Sequence, residues 1–307
     1  MTGWRPPSTS VDGLKYRLRD LERDVMDLQR IRGGGGSERV GGSEVVGGGY
    51  AATVTVAASD AADSTKAACD YVCDGTDDEA EIYAAFAECD ALGGGRVLLS
   101  EGSFTISIAG CGDVPADTIL QGQGIGATQL LHVGASANSV FIGSTFAGEG
   151  AQILDMTLDA TGITSGGYGL NLGGARTRVE RVRMVGLGFR NNANIEFTGH
   201  HCTARACEFI EPTTGAEGVS SSGDYLVVED CFFNVIPGAA VHASTGSDFA
   251  MVTGNRMEWT QSGNTGTDAI VVQANSVVVG NICRDNRGSP ATITSGPGSL
   301  VANNVLL

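Results

Sequence analysis

No run of about 18 apolar residues occurs in the 307-residue chain, so no membrane-spanning helix is expected. The N-terminus lacks the charged-then-apolar pattern of a secretory signal, so passage out of a cell is expected by another route, such as lysis. Positive charge is scarce. The net charge is −16, and no Lys/Arg cluster is present to neutralise phosphates, which argues against a nucleic-acid partner. Charged residues make up only 18 % of the chain and aromatics 6 %, whereas glycine occurs 46 times. That balance suits many short strands joined by tight turns. Zinc-type cysteine spacing is missing as well. Cys69 and Cys73 are spaced C-x3-C, Cys207, Cys231 and Cys283 read as small buried hydrophobes, and His200-His201-Cys202 would put neighbours on opposite faces of a strand. Neither a metal ion nor a cofactor is expected.

What is present is a repeat. QILDMTL (152–158), RVERVRM (178–184), TARACEF (203–209), VVEDCFF (227–233), MVTGNRM (251–257), VVVGNIC (277–283) and LVANNVL (300–306) start about 23–26 residues apart, a solenoid period. The second column (Ile153, Val179, Ala204, Val228, Val252, Val278, Val301) and the seventh (Leu158, Met184, Phe209, Phe233, Met257, Cys283, Leu306) are apolar in every row. The third and fourth columns hold Glu180, Arg181, Glu229, Asp230, Gly254 and Gly280. Strand, bend, strand, with like residues stacked, predicts a parallel β-helix. A weaker set at 169–172, 194–197, 218–220, 239–242, 268–272 and 290–293 supplies the remaining strand of each coil. The fifth column ends in Asn255, Asn281 and Asn304, which predicts a buried amide ladder.

Four segments follow in chain order: 1–32, 33–49, 50–112 and 113–307. The first is an arm. Val11, Leu18 and Val25 fall at heptad position a, and Leu14, Leu21 and Leu28 at d, so three heptads, about 33 Å of helix, are expected to form a coiled coil. A helix this short is marginal alone, which implies a homo-oligomer; a single helix lying on the body is the alternative. Val at a with Leu at d by itself favours two strands. Trp4 is either an anchor on a partner or part of a loose terminus. The Gly-rich linker at 33–49 follows. Then come a strand at 50–57, a turn at Asp74-Gly75, and a helix capped by Thr76 with Glu79 as its box partner, running to about Leu92 with Ile82, Phe86 and Cys89 on its apolar stripe. Gly93-Gly94-Gly95 stops it. Strands are expected at 96–100 and 103–108, and TILQGQG (118–124) fits a first full coil. The helix would cover the open end of the first coil. Residues 132–151 exceed what a coil needs and read as an excursion. The acidic pair Asp77-Asp78 reads as solvated and stabilised by the helix dipole.

The stretch CDYVCDGTDDEAEIYAAFAECDALGGGRVLLSEGSFTIS (69–107) resembles the opening of the pectate-lyase-like superfamily of right-handed β-helices: an Asp-Gly-x-x-Asp turn, a capping helix, a Gly-Gly-Gly stop and a strand-Gly-strand pair. It is most similar to versions in minor tail proteins and tail spikes of tailed phages of actinobacteria. The heptad arm and linker resemble the virion-attachment ends of such proteins. The resemblance implies an all-β solenoid in the tail of a virion, exposed to the outside of the host cell. It also implies three chains rather than two, contact with other tail proteins and a host cell-surface glycan as partner.

Enzymes on this fold use carboxylates. The outward candidates are Asp155, Glu208, Asp230 and Glu258, with Asp159 beside them; Arg183 and Arg256 share the sixth column with Glu208. The galacturonase-type set Asn-x-Asp, Asp-Asp, Gly-His-Gly and Arg-x-Lys is absent, Gly199-His200-His201 matches only half of one motif, and no acidic calcium cluster occurs. Non-enzymatic surface binding is therefore the expectation. A polysaccharide lyase or glycoside hydrolase is the alternative, and a spacer or decoration protein without receptor binding a further one. Leu300, Val301, Leu306 and Leu307 in the seventh row are expected to be covered by sibling chains or another virion protein.

Overall fold

A computed structural model describes residues 52–107, 112–133, 136–144, 148–161, 165–186, 193–210, 217–234, 238–259, 268–285 and 292–307. Trp4, the heptad positions Val11, Leu14, Leu18, Leu21, Val25 and Leu28, and the linker lie outside the described residues.

Every strand pair is parallel, and each strand bonds to its counterpart one coil later. Ile153 pairs with Val179, Val179 with Ala204, Ala204 with Val228, Val228 with Val252, Val252 with Val278 and Val278 with Val301. This register builds a long sheet of 18 strands and a second sheet of 7, and the chain is a right-handed parallel β-helix. The second and seventh columns are wholly buried from the first row to the sixth. Stacking like on like fills the interior; Phe209 lies on Phe233 with ring centroids 4.6 Å apart. In the seventh row Val301 and Leu306 are exposed by 43 % and 44 %.

The bend within each row has one cause. The fourth column is in the left-handed region in all seven rows: Asp155, Arg181, Ala206, Asp230, Gly254, Gly280 and Asn303 have φ between 50° and 71°. Gly254 and Gly280 take that conformation without a Cβ penalty, and Asp and Asn tolerate it. Reversing the local hand for one residue lets the residues on both sides of it face the interior.

The amide ladder forms as the fifth column predicts. Asn255 and Asn281 are buried. Asn281 donates from Nδ2 to the Val252 carbonyl at 3.0 Å, and its Oδ1 accepts the Asn255 N–H at 3.0 Å. Asn255 in turn accepts from the Cys231 N–H, and Asn304 accepts from the Asn281 N–H. The buried Asn255 and Asn281 amides are thereby satisfied by neighbouring coils, and Asn304 in the last row is half-buried.

Several expectations need correction. The helix spans Glu79–Ala91, not from Thr76, and Asp78 stands at its N-cap position. Asp78 is buried rather than solvated. Its Oδ1 accepts the Gly75 N–H at 2.8 Å and its Oδ2 the Thr105 N–H at 2.7 Å, so it ties the turn to the strand at Gly102–Ile106 instead of capping the helix. Glu79 closes no capping box; its carboxylate accepts the N–H of Ser107 at 3.1 Å. Residues 132–151 are no plain excursion, because Ser136–Ser144 is a strand of the second sheet paired with Ser165–Leu172. A one-turn helix at Asp63–Lys66 and a short strand at Tyr71–Val72 were not legible in the sequence. No disulfide joins the described cysteines, and no helix among the described residues is long and apolar enough to cross a membrane.

Candidate functional site

On the long sheet the outward charges pair with one another. Arg181 donates from Nε to Asp155 at 2.5 Å, and this bond holds the Asp155 carboxyl below its ordinary pKa. Gln121 donates to the same carboxylate at 2.9 Å. Arg183 bonds Glu208 at 2.7 Å, Arg205 bonds Glu229 at 3.1 Å, and Arg256 bonds Glu258 at 2.5 Å. Arg256 also sits over the Phe232 ring, 5.6 Å from its centroid. Asp230 is exposed at the bend. Asp159 accepts from Gln129 at 2.9 Å and from the Thr161 N–H. No hydrogen bond links any two of Asp155, Glu208, Asp230 and Glu258. Arg183, Glu208, Phe232, Arg256 and Ile282 do share one register position, as the sixth column predicts. These pairs, cross-coil except for Arg256–Glu258 within one strand, are half-exposed contacts of small individual value.

The second sheet carries a denser group. Asn171, Glu196, Ser220 and His242 occupy one register position on four successive strands. Glu217 and Tyr168 lie three residues before Ser220 and Asn171 on their strands. His242 Nδ1 is 2.5 Å from Glu217 Oε1, and this bond raises the imidazole pKa. Burial raises the Glu196 carboxyl above its ordinary pKa; the Ser220 hydroxyl bonded to it pulls the other way, and the Glu217 charge adds to the rise. Burial raises the Tyr168 phenol too, helped by the charges of Glu196 and Glu217. Asn194 is buried and donates to the Glu217 carbonyl at 2.7 Å, fixing that strand end. The Asn171 Oδ1 atom is buried and accepts no hydrogen bond among the described residues.

Chemically, the column offers a carboxyl biased towards its neutral form, an imidazole biased towards its cationic form, a phenol, a hydroxyl and an idle amide oxygen. Donors and acceptors alternate along the axis at the coil spacing, about 4.8 Å. Such an array fits a ligand that itself donates and accepts, such as a polyol. It does not fit a metal ion. The one described group whose ligand-capable atoms all lie within 4.8 Å of one another is Cys73, Asp78 and Glu81, and both Asp78 oxygens there already hold backbone N–H groups. The column was missed in the sequence, although Asn171, Glu196, Ser220 and His242 recur at close to the row period. The signal lies on the weaker strand set, whose rows differ in spacing by up to three residues.

The turn that follows each of these strands has a second left-handed position. It is filled by Asp117, Gly150, Arg176, His201, Tyr225, Phe249, Asn275 and Gly298 in successive coils, with φ between 50° and 77°. The rings of His201, Tyr225 and Phe249 stack there, with centroids 4.5 Å and 5.0 Å apart and planes within 8° of parallel. His200 and His201 are exposed and Cys202 is buried.

No family model matches the chain, and no curated protein is similar to it in sequence. Among solved structures it is similar to the A-module of the mannuronan C-5 epimerase AlgE4 of Azotobacter vinelandii, at 18 % identity and a TM-score of 0.48 over 73 % of this chain and 69 % of that one. It is also similar to ORF18 of Geobacillus virus E2, at 15 % identity and a TM-score of 0.34 over 75 % and 57 % of the two chains.

Proposed function

We propose that the protein is a virion component, a minor tail protein acting as tail fibre or spike, that binds glycan on the host cell surface through its β-helix. The observation that carries the binding half is the polar column Asn171–Glu196–Ser220–His242, with its idle amide oxygen and its carboxyl of raised pKa, flanked by the half-buried Tyr168 and Glu217. The virion half is supported by the resemblance of residues 69–107 and of the heptad arm to phage tail proteins. In this reading residues 1–32 attach the protein to the tail, Trp4 anchors on a neighbouring tail protein, and the heptads assemble a homotrimer. Leu300, Val301, Leu306 and Leu307, exposed by 41–59 %, form the contact with sibling chains or a further tail protein. The experiment is competition. Purified protein, added in excess, is expected to block adsorption of the phage to its host, and Glu196→Ala with His242→Ala to abolish the block. Undiminished adsorption in the presence of wild-type protein would leave the spacer or decoration reading instead.

A second reading, cleavage of the bound glycan, is favoured by one observation: Glu196 and the His242–Glu217 pair place an acid of raised pKa near a carboxylate-supported imidazole. Incubation with host wall polysaccharide and measurement of new reducing ends or unsaturated products decides between binding and cleavage.

A further inference from the structure

The His201–Tyr225–Phe249 column is an odd use of its position. The turn requires a positive φ in every coil, and other coils meet the requirement with Gly150, Asn275 and Gly298. A residue with a Cβ is strained there, and a bulky ring is an outlier. Two stacking contacts stand against three strained residues, so the ladder does not offset its own strain. It also leaves Tyr225 and Phe249 exposed by 42 % and 43 %. Fold stability alone would be served as well by Gly or Asn in these three coils.

The three ringed coils coincide with the polar column. Glu196, Ser220 and His242 lie on the strands that lead directly into His201, Tyr225 and Phe249. Five residues separate Glu196 from His201 and seven separate His242 from Phe249, so the rings stand within about 16–25 Å of the polar column even with the chain fully extended. The residue before each ring is polar: His200, Asp224 and Asp248. These bond to one another across coils. The Asp224 N–H donates to His200 Nδ1 at 3.0 Å, and the Asp248 N–H donates to Asp224 Oδ1 at 2.9 Å.

We propose that His201, Tyr225 and Phe249 form an apolar ledge on which a pyranose-containing glycan lies along the solenoid axis. Its apolar C–H groups lie against the exposed ring edges, since the ring faces cover one another, and its hydroxyls reach His200 and Asp224 and, towards the preceding strands, the polar column. A sugar is amphipathic in this way, and an aromatic ledge beside alternating donors and acceptors satisfies both of its faces. The inference rests on the glycan-binding reading above and identifies the surface that adds affinity to it.

The test uses the full chain on a printed array of hexose and N-acetylhexosamine oligosaccharides. Tyr225→Asn with Phe249→Asn gives both positions the residue that the next coil already carries, so the fold is kept and backbone strain falls. Affinity for the oligosaccharides bound by wild-type protein is expected to drop about tenfold or more, a hot-spot-sized loss, with the melting temperature unchanged or raised. Phe249→Tyr, which keeps the ring, is expected to keep binding. If the double Asn variant binds as wild type while Glu196→Ala loses binding, the ledge is a structural stack only and this inference fails while the proposed function stands. If wild-type protein binds none of the oligosaccharides, the glycan reading and the ledge fall together.

Discussion

A buried amide and a half-buried carboxyl set the sharpest expectations for single residues. Asn281 serves three partners at once: the Val252 carbonyl, the Asn255 N–H and the Asn304 side chain. Asn281→Leu keeps the branched shape and strands those partners inside, so a loss of about 1–3 kcal/mol is expected, read from a shift in the denaturant midpoint. Glu196 is the opposite case. Its folded pKa is raised above the ordinary 4.5 by burial. Its stabilising contribution is therefore fully present below the unfolded value and is lost as pH rises through the folded pKa. Glu196→Gln removes that loss. The variant is expected to melt at a higher temperature than wild type near pH 7 and at the same temperature below about pH 4, the range where wild-type Glu196 is protonated in both states. His242 acts in the same direction, because the bond to Glu217 raises its pKa above 6.5. A wild-type melting temperature that climbs from pH 5 to pH 8 would contradict both assignments.

Among the elements, the helix and the strands differ in how far the sequence discloses them. The helical stripe Ile82–Phe86–Cys89 was legible from spacing alone, and all three residues are buried. Its start was not legible, because the residue that decides it bonds out of the local chain: Thr105, which donates to Asp78, is 27 residues further on. Asp78→Ala would leave the part-buried Gly75 and Thr105 N–H groups without their acceptor. It is expected to cost about 2–6 kcal/mol for the two groups together and to speed amide hydrogen exchange across Glu79–Ala91. The rows of the long sheet were legible because a residue at a fixed offset repeats its type, and burial of the same columns in six rows explains why. The second sheet was only half legible. Its later strands are three residues long, too short for alternation to mark an outward face, and Ala193–Phe197 and Glu217–Ser221 bury four of their five residues, so no alternation marks the polar column there either. The ring column was invisible for another reason: a left-handed φ has no signature when the residue is His, Tyr or Phe.

For the molecule as a whole, parallel register means that each coil touches only the coils beside it, so stability accumulates by neighbours. Under the proposed function, assembly rests on a different part of the chain, the heptad arm. Leu14→Asp with Leu21→Asp would place charge in its apolar seam, where an unpaired charge is strongly disfavoured. Loss of the oligomer and of incorporation into particles is expected, with the β-helix intact by circular dichroism. Mass measurement of the soluble wild-type protein distinguishes three chains from the two that the a and d residues alone would favour.

The matching of Leu226–Phe249 to its neighbouring coils also makes the chain a ruler. Splicing a second copy of that segment after Phe249 would offer the inserted strands the same bonding pattern they already have, so the register on both sides is preserved. The insert would add one Tyr/Phe/His-type rung position and one more strand of the second sheet, lengthening the outer surface by about 4.8 Å. Under the proposed function, the length of glycan such a protein could follow is therefore written as a copy number of coils, and changes in whole steps.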